Sequence, residues 1–381
     1  MTESRRQTPL ATLLVERIRR QGPLTFADYM RECLYHPLHG YYSRSEARRF
    51  SDYYTSVDVH PIFGRLLARQ LAEMWAQMGG PQAFSVVEAG AGVGRLAGHI
   101  LDFAETRLPE LYGALRYVAV ERSKARREQA SGGLARHIAA GRCAVALEIP
   151  ARLLQGCLIS NELVDALPVH RVVMQGGALQ ELFVTERAGA LAEQLAPLST
   201  CAISEYFVAL GIQLREGQQA EAGLEACDWI TEIGRRIERG FLLTADYGHA
   251  AAELYDQRHM RGTLLAYERH RASEDYYAAP GEQDLTAHVN FTALEQWGAR
   301  AGLERVGRVS QTEFLLALGQ GNDFADLYEP GASEADRVRA RLLLKNLIFP
   351  EGMGERFSVL IHHKRVPGAQ LTGLAGIPGP R

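Results

Sequence analysis

No stretch of the 381-residue chain stays apolar for anything near the ~18 residues that a membrane helix needs. Neither sign of charge dominates: 42 Lys and Arg stand against 45 Asp and Glu, which leaves −3. That balance argues against a dedicated nucleic-acid binder, whose footprint is a basic excess. The five cysteines (Cys33, Cys143, Cys157, Cys201 and Cys227) are odd in number, widely spaced and never paired as C-x-x-C. A disulfide framework and a thiolate zinc site are therefore not expected, and a reducing, cytoplasmic setting with mostly buried thiols is. Histidine offers no metal site either. Pro37 separates His36 from His39 with no third ligand nearby, and the neighbours His362 and His363 should point to opposite faces of a strand.

What is present is an ordinary globular composition, 46% apolar and 23% charged, long enough for two or three domains or one elaborated domain. Pro9–Arg20 is amphipathic and basic in the manner of a mitochondrial presequence. Glu3 and Glu16 interrupt it, and the pattern continues into Thr25–Tyr29, so it reads as the first helix of the fold. A second helix with one apolar face is expected over Ile62–Met78. Short apolar runs at Phe84–Glu88, Leu115–Val120, Cys143–Leu147 and Cys157–Ser160 alternate with helical segments, the pattern of βαβ units and a parallel sheet. Arg171–Val184 reads as a hairpin around Gln175-Gly176-Gly177. A helix over Leu224–Arg239, a strand at Phe241–Ala245, a helix near Ala293–Ala301 and a strand at Phe357–His362 follow. The tail after Pro367 is rich in Gly and Pro, and disorder is expected there.

The strongest local signal is the strand Val86-Val87-Glu88-Ala89, which runs into Gly90-Ala91-Gly92-Val93-Gly94 and then a helix. Such a corner brings backbone close to a ligand and offers the free N–H groups of a helix end. A dinucleotide fingerprint needs a third glycine where this chain has Arg95, which disfavours a nicotinamide-dependent oxidoreductase. The spacing found, G-x-G-x-G with Glu88 ahead of it, resembles the first motif of class I S-adenosylmethionine (SAM) methyltransferases. The ammonium of SAM wants a carboxylate or carbonyls nearby. Glu121 closes the next strand, where a ribose diol is bonded in nucleotide-binding α/β folds.

The fourth strand ends in Ser160-Asn161-Glu162, with Asp165 three residues on. Strand tips line the ligand crevice of an open α/β sheet, so Asn161 and Glu162 should face the transferred group. Two carboxylates suit a guanidinium, which stays charged and matches them bidentately. The competing reading is helix capping, with Ser160 or Asn161 as N-cap and the acids in the first turn. His249, in Asp246-Tyr247-Gly248-His249 after a strand, can receive a proton or serve structurally.

In order and across nearly the whole chain, these segments resemble the MidA family of class I methyltransferases, which includes a mitochondrial complex I assembly-factor arginine methyltransferase. The likeness is carried by Thr25-Phe26-Ala27-Asp28-Tyr29-Met30, His39-Gly40-Tyr41-Tyr42, Asp52-Tyr53-Tyr54-Thr55-Ser56, the glycine corner, Glu121-Arg122-Ser123 and Asn161-Glu162. It continues through Asp165-Ala166-Leu167-Pro168, Asp246–His249, Gln283–Phe291 and Ser310–Leu315. The resemblance implies SAM as cofactor and a protein arginine as acceptor; histidine spacing, charge balance and hydropathy lead to the expectation of no metal, nucleic acid or membrane partner. It implies cofactor contacts at Thr55, Ser56, Asp58, Glu88, Gly90, Gly92, Gly94, Glu121 and Asn161, with Glu162, Asp165 and His249 catalytic.

The chain departs from the family at Ala91 and Val93, where Pro and Arg are usual, at Val57-Asp58-Val59 in place of Pro-Glu-Ile, and at Arg65 in place of Glu. Arginine methyltransferases that grip guanidinium between two glutamates nine residues apart have no counterpart here, because the residue nine after Glu162 is Arg171. The alternative is an assembly or binding protein that keeps the fold without the chemistry. The expected architecture is α/β, a Rossmann-like, mostly parallel sheet with helices on both faces. A helical cap (1–80) precedes a SAM-binding core (81–174 and 240–366), with an inserted α+β region (175–239) and a disordered tail (367–381).

Overall fold

Each short apolar run becomes a strand of one sheet, joined by one further strand that the sequence reading lacks. In the computed structural model, which describes residues 6–43, 60–268, 271–328, 331–348 and 357–376, these are β1 (Phe84–Ala89), β2 (Leu115–Val120), β3 (Cys143–Ala146), β4 (Gly156–Asn161), β5 (Gly240–His249), β6 (Glu304–Ser310) and β7 (Phe357–Lys364). They lie side by side in the order β3-β2-β1-β4-β5-β7-β6. Neighbours from β3 to β5 run parallel, and β7 is antiparallel to both β5 and β6. The chain winds outward from β1 in one direction and from β4 in the other. Their shared border is thus the switch point where open α/β sheets bind ligands.

Helix α1 (Ile62–Gln77) and helix α2 (Arg95–Arg107) cover one face of this sheet. Phe63, Leu67 and Leu71 of α1 and Leu96 and Ile100 of α2 share a core with Phe84, Val86, Tyr117 and Ile159. Each such side chain contributes roughly 1.5–3 kcal/mol by leaving water. Val87, Leu158 and Leu242, which alternate with residues of that core, are buried too, so both faces of the sheet are covered.

The division of the chain differs from the sequence reading. One compact unit comprises Tyr54–Leu163, Thr231–Tyr247 and Gly298–Arg381, the other Met1–Tyr53, Val164–Ile230 and Gly248–Trp297. The expected cap of residues 1–80 is therefore split, because the apolar face of α1 belongs to the sheet core. In the second unit Leu24 and Thr25 pair with Val184 and Phe183, which ties the N-terminal segment to the expected insertion. That insertion also begins and ends earlier than 175–239, as Val164–Ile230. His170–Gln175 pairs with Ala178–Arg187 and Gln219–Ala222 instead of joining the parallel sheet. Gly176 (φ +63°) and Gly177 (φ +75°) make the hairpin turn with the left-handed backbone that it requires.

The second unit has its own core. Helix Phe26–Tyr35 packs against Tyr276 and Tyr277, with the Tyr29 hydroxyl donating to the Tyr276 carbonyl at 2.7 Å. The tail is a correction as well: Leu371 is buried and Leu374 packs on the sheet core, while residues 377–381 lie outside the described residues. No helix of the described residues is long and apolar enough to cross a membrane.

His362 of β7 is wholly buried, and neither ring nitrogen has a hydrogen-bond partner among the described residues. Burial, with Arg305 and His363 adding to it, pushes its pKa down to about 4 from 6.5. The native state thus holds the neutral ring while the unfolded chain binds a proton. Its contribution is complete above pH 6.5 and is lost as pH falls toward 4, on the order of 3 kcal/mol at full extent. His362→Leu should flatten the acid limb of the stability curve between those values, measured by urea denaturation at stepped pH.

Candidate active site

The glycine corner sits where β1 hands the chain to α2. The N–H groups of Gly90 and Ala91 donate to the Val120 carbonyl at 3.0 and 2.9 Å, which anchors the corner to the tip of β2. Gly90, Gly92 and Gly94 have φ of +75°, +56° and +80°, a left-handed backbone that other residues adopt only with strain. A Cβ on Gly94 would meet Leu134 Cδ1 at 3.0 Å and Ala130 Cβ at 3.2 Å, and one on Gly90 would meet Leu163 Cδ1 at 3.0 Å. A Cβ on Gly92 would meet nothing within 4 Å among the described residues. The middle glycine borders open space, and the outer two fit against protein.

Glu121 closes on this corner. One carboxylate oxygen accepts the Gly92 N–H at 3.0 Å and the other accepts the Ser123 N–H at 2.7 Å. The acid at the tip of β2 and the glycine turn after β1, separate signals in the sequence, form one structure.

Glu88, expected to contact the cofactor, is turned into the protein in this structure. Its side chain points to the same face as Phe84 and Val86 and is buried in the protein. Tyr117 donates to it at 2.7 Å and the Ala97 N–H of α2 also bonds it. Burial pushes its pKa up to about 7, opposed by the Tyr117 bond and reinforced by the charge of Glu121. Gly94, the N-cap of α2, has no side chain to offer, so Glu88 takes one of the orphan N–H groups of the first turn. It shapes the corner from beneath.

The tip of β4 carries the other expected residues. Asn161 donates through Nδ2 to Glu162 Oε1 at 3.2 Å, while Asn161 Oδ1 is buried without a hydrogen-bond partner among the described residues. The Glu162 N–H extends the ladder to the Ala245 carbonyl at 2.9 Å. Glu162 then turns left-handed, at φ +51°. Such a backbone costs a non-glycine residue roughly 1–2 kcal/mol and is characteristic of functional sites. No helix follows, so the capping reading of Ser160–Asp165 is excluded: the segment bends directly into the strand at His170.

Asp165 and His249 fall in the second unit. Asp165 is buried, and its carbonyl accepts the Ala287 N–H at 3.0 Å. His249 lies with its ring 5.3 Å from that of His288 and 5.9 Å from that of His259, and its Nδ1 is 3.7 Å from Glu253. Thr55, Ser56 and Asp58 lie outside the described residues. No disulfide joins the five cysteines, and of them Cys201 alone is exposed. Burial pushes Cys33 and Cys143 up to about 12, which leaves them no thiolate character at neutral pH. Among the described residues no group of three or more His, Cys, Asp and Glu is placed to hold a metal ion.

With this geometry in view, comparison with known proteins is decisive. Residues 66–309 match the family described as "Putative S-adenosyl-L-methionine-dependent methyltransferase". The chain belongs to this family. A Burkholderia thailandensis protein crystallised with S-adenosyl-homocysteine is 30% identical, with a TM-score of 0.85 and 99% of each chain covered. The mouse mitochondrial protein arginine methyltransferase NDUFAF7 is 28% identical over 96% of this chain and 87% of its own. The homologue named for Drosophila melanogaster is also 28% identical, over 95% and 86%.

The protein is a SAM-dependent methyltransferase, and its corner has features that suit the cofactor: a glycine beside open space, a carboxylate at its rim and a buried acceptor atom without a donor. Two substitutions separate fold from binding here. Gly94→Ala should lower stability by about 2 kcal/mol, from backbone strain and overlap with Leu134. Gly92→Ala should cost only the strain, about 1 kcal/mol, yet weaken SAM binding about 10-fold by filling the space beside it. Thermal denaturation and calorimetry read the two effects.

Proposed function

We propose that this methyltransferase acts on arginine side chains of proteins. Gly90–Gly94, Glu121 and Asn161 hold the cofactor, and Glu162 receives the guanidinium. Bound SAM supplies a methyl group activated on a sulfonium. The chain supplies placement, which for an activated donor is most of catalysis. The single observation that carries the reading is Glu162: a half-buried residue at the tip of β4, at the switch point, with carboxylate oxygen Oε2 enclosed and the backbone strained. Its oxygens suit the paired N–H groups of a guanidinium, and Asn161 Nδ2 steadies one of them. The names of the mouse and fly relatives favour the same substrate class.

The test uses tritiated SAM and an extract of cells that lack the protein. After acid hydrolysis the label is expected in methylarginines. Label confined to methyllysine or to small molecules overturns the substrate class, and no transferred label favours a non-catalytic assembly role.

A further inference from the structure

We propose that Asp246 is a positioning residue for methyl transfer, holding Glu162 in its strained conformation by capturing the N–H of the following residue. The inference rests on the reading of Glu162 given above.

Asp246 lies on β5, beside the tip of β4, and is entirely buried. A carboxylate in that position is expensive unless donors satisfy it. Two do. Oδ2 accepts the Leu163 N–H at 3.2 Å and Oδ1 accepts the Tyr247 N–H at 2.9 Å. The first bond matters for the site. Ladder pairing between β4 and β5 reaches Asn161 opposite Ala245, and the Glu162 N–H still bonds the Ala245 carbonyl. One residue later the chain leaves the sheet, and Leu163 has no strand carbonyl to pair with. Asp246 supplies the acceptor instead.

Glu162 is thereby fixed on both sides. Its own N–H is tied to β5 by the main chain and the next N–H is tied to β5 by a side chain. Between two such anchors the peptide must turn at Glu162, and φ +51° is the turn that it makes. The same anchor reaches the cofactor corner, because Leu163 Cδ1 lies 3.0 Å from the point that a Cβ on Gly90 would occupy. Asp246 therefore sets the height of Glu162 relative to the glycine turn without touching either ligand.

Asp246→Asn is the sharpest variant, since asparagine keeps the shape but offers one acceptor oxygen to two N–H groups. Asp246→Ser, smaller and neutral, serves if that variant is poorly folded. Three readouts are taken on the full chain: label transfer from tritiated SAM to the cell extract, SAM affinity by calorimetry, and hydrogen exchange at the Leu163 amide. Turnover at saturating SAM should fall about 10- to 100-fold and Leu163 exchange should accelerate about 10-fold or more, with SAM affinity within about three-fold of wild type. Wild-type turnover in both variants, while Glu162→Gln is impaired, overturns the role of Asp246 and leaves that of Glu162 standing. A parallel loss of SAM affinity and turnover also overturns it, since that marks a merely structural residue. Full activity in Glu162→Gln itself refutes the reading beneath.

Discussion

Glu162→Gln should lower methyl transfer to protein acceptors by about 100-fold or more while SAM affinity stays within about two-fold of wild type. Glutamine has the size of glutamate and fits the same position, but it lacks the charge and one of the two acceptor oxygens. Hydrogen bonds between ions contribute roughly 1.5–3 kcal/mol each, so losing a two-point grip on guanidinium reaches the stated factor. A companion variant sharpens the test. Glu162→Gly removes the carboxylate and also the penalty of φ +51°. The gain of about 1 kcal/mol from relieved strain offsets the greater freedom of glycine in the unfolded chain. Its thermal midpoint should therefore be unchanged or higher while turnover is abolished. Activity and stability moving apart in this way is the signature of strain kept for function. A residue serving packing alone would lower both.

Substitution of Glu121 should act on the other substrate. Its two oxygens bond the Gly92 and Ser123 N–H groups, so the carboxylate both shapes the glycine corner and presents charge at its rim. Glu121→Gln keeps one good acceptor and should weaken SAM binding about 10-fold, whereas Glu121→Ala, which keeps none, should weaken it about 100-fold. Kinetically the defect should appear as a raised KM for SAM with turnover largely restored at saturation. Glu162 variants should show the reverse pattern, a lowered kcat at unchanged KM for SAM. Steady-state kinetics with SAM as the varied substrate tell the two apart.

Much of this was legible in residue order. Strand runs, the hairpin at Gly176-Gly177 and the helix after Gly94 rest on local rules of period and turn chemistry, and they stand within a few residues of expectation. The inward position of Glu88 had a local signal. Phe84, Val86 and Glu88 alternate on one face, so an acid in that series faces the core that the two apolar residues face.

The unit boundary had no such signal, because Leu24 and Thr25 pair with residues some 160 positions along, and no short window shows that. The tail misled by composition: its glycines and prolines suggested disorder, yet Leu371 and Leu374 anchor it on the sheet core. At the site, the acids at 121 and 162 were visible as strand ends, but the left-handed turn at Glu162 was not. Glutamate has no preference for that backbone, and only the bonds to Ala245 and Asp246 on the next strand explain it. Asp246 did leave a trace, as an acid closing the apolar run Phe241–Ala245.

The central claim is tested most directly by measuring methylated arginines across the proteome of three cell lines, one with the wild-type protein, one without it and one with only Glu162→Gln. The account predicts a defined set of arginine sites that lose methylation in the second line and stay unmethylated in the third. Methylation of those sites restored in full by Glu162→Gln, or no arginine site differing among the lines, would contradict it.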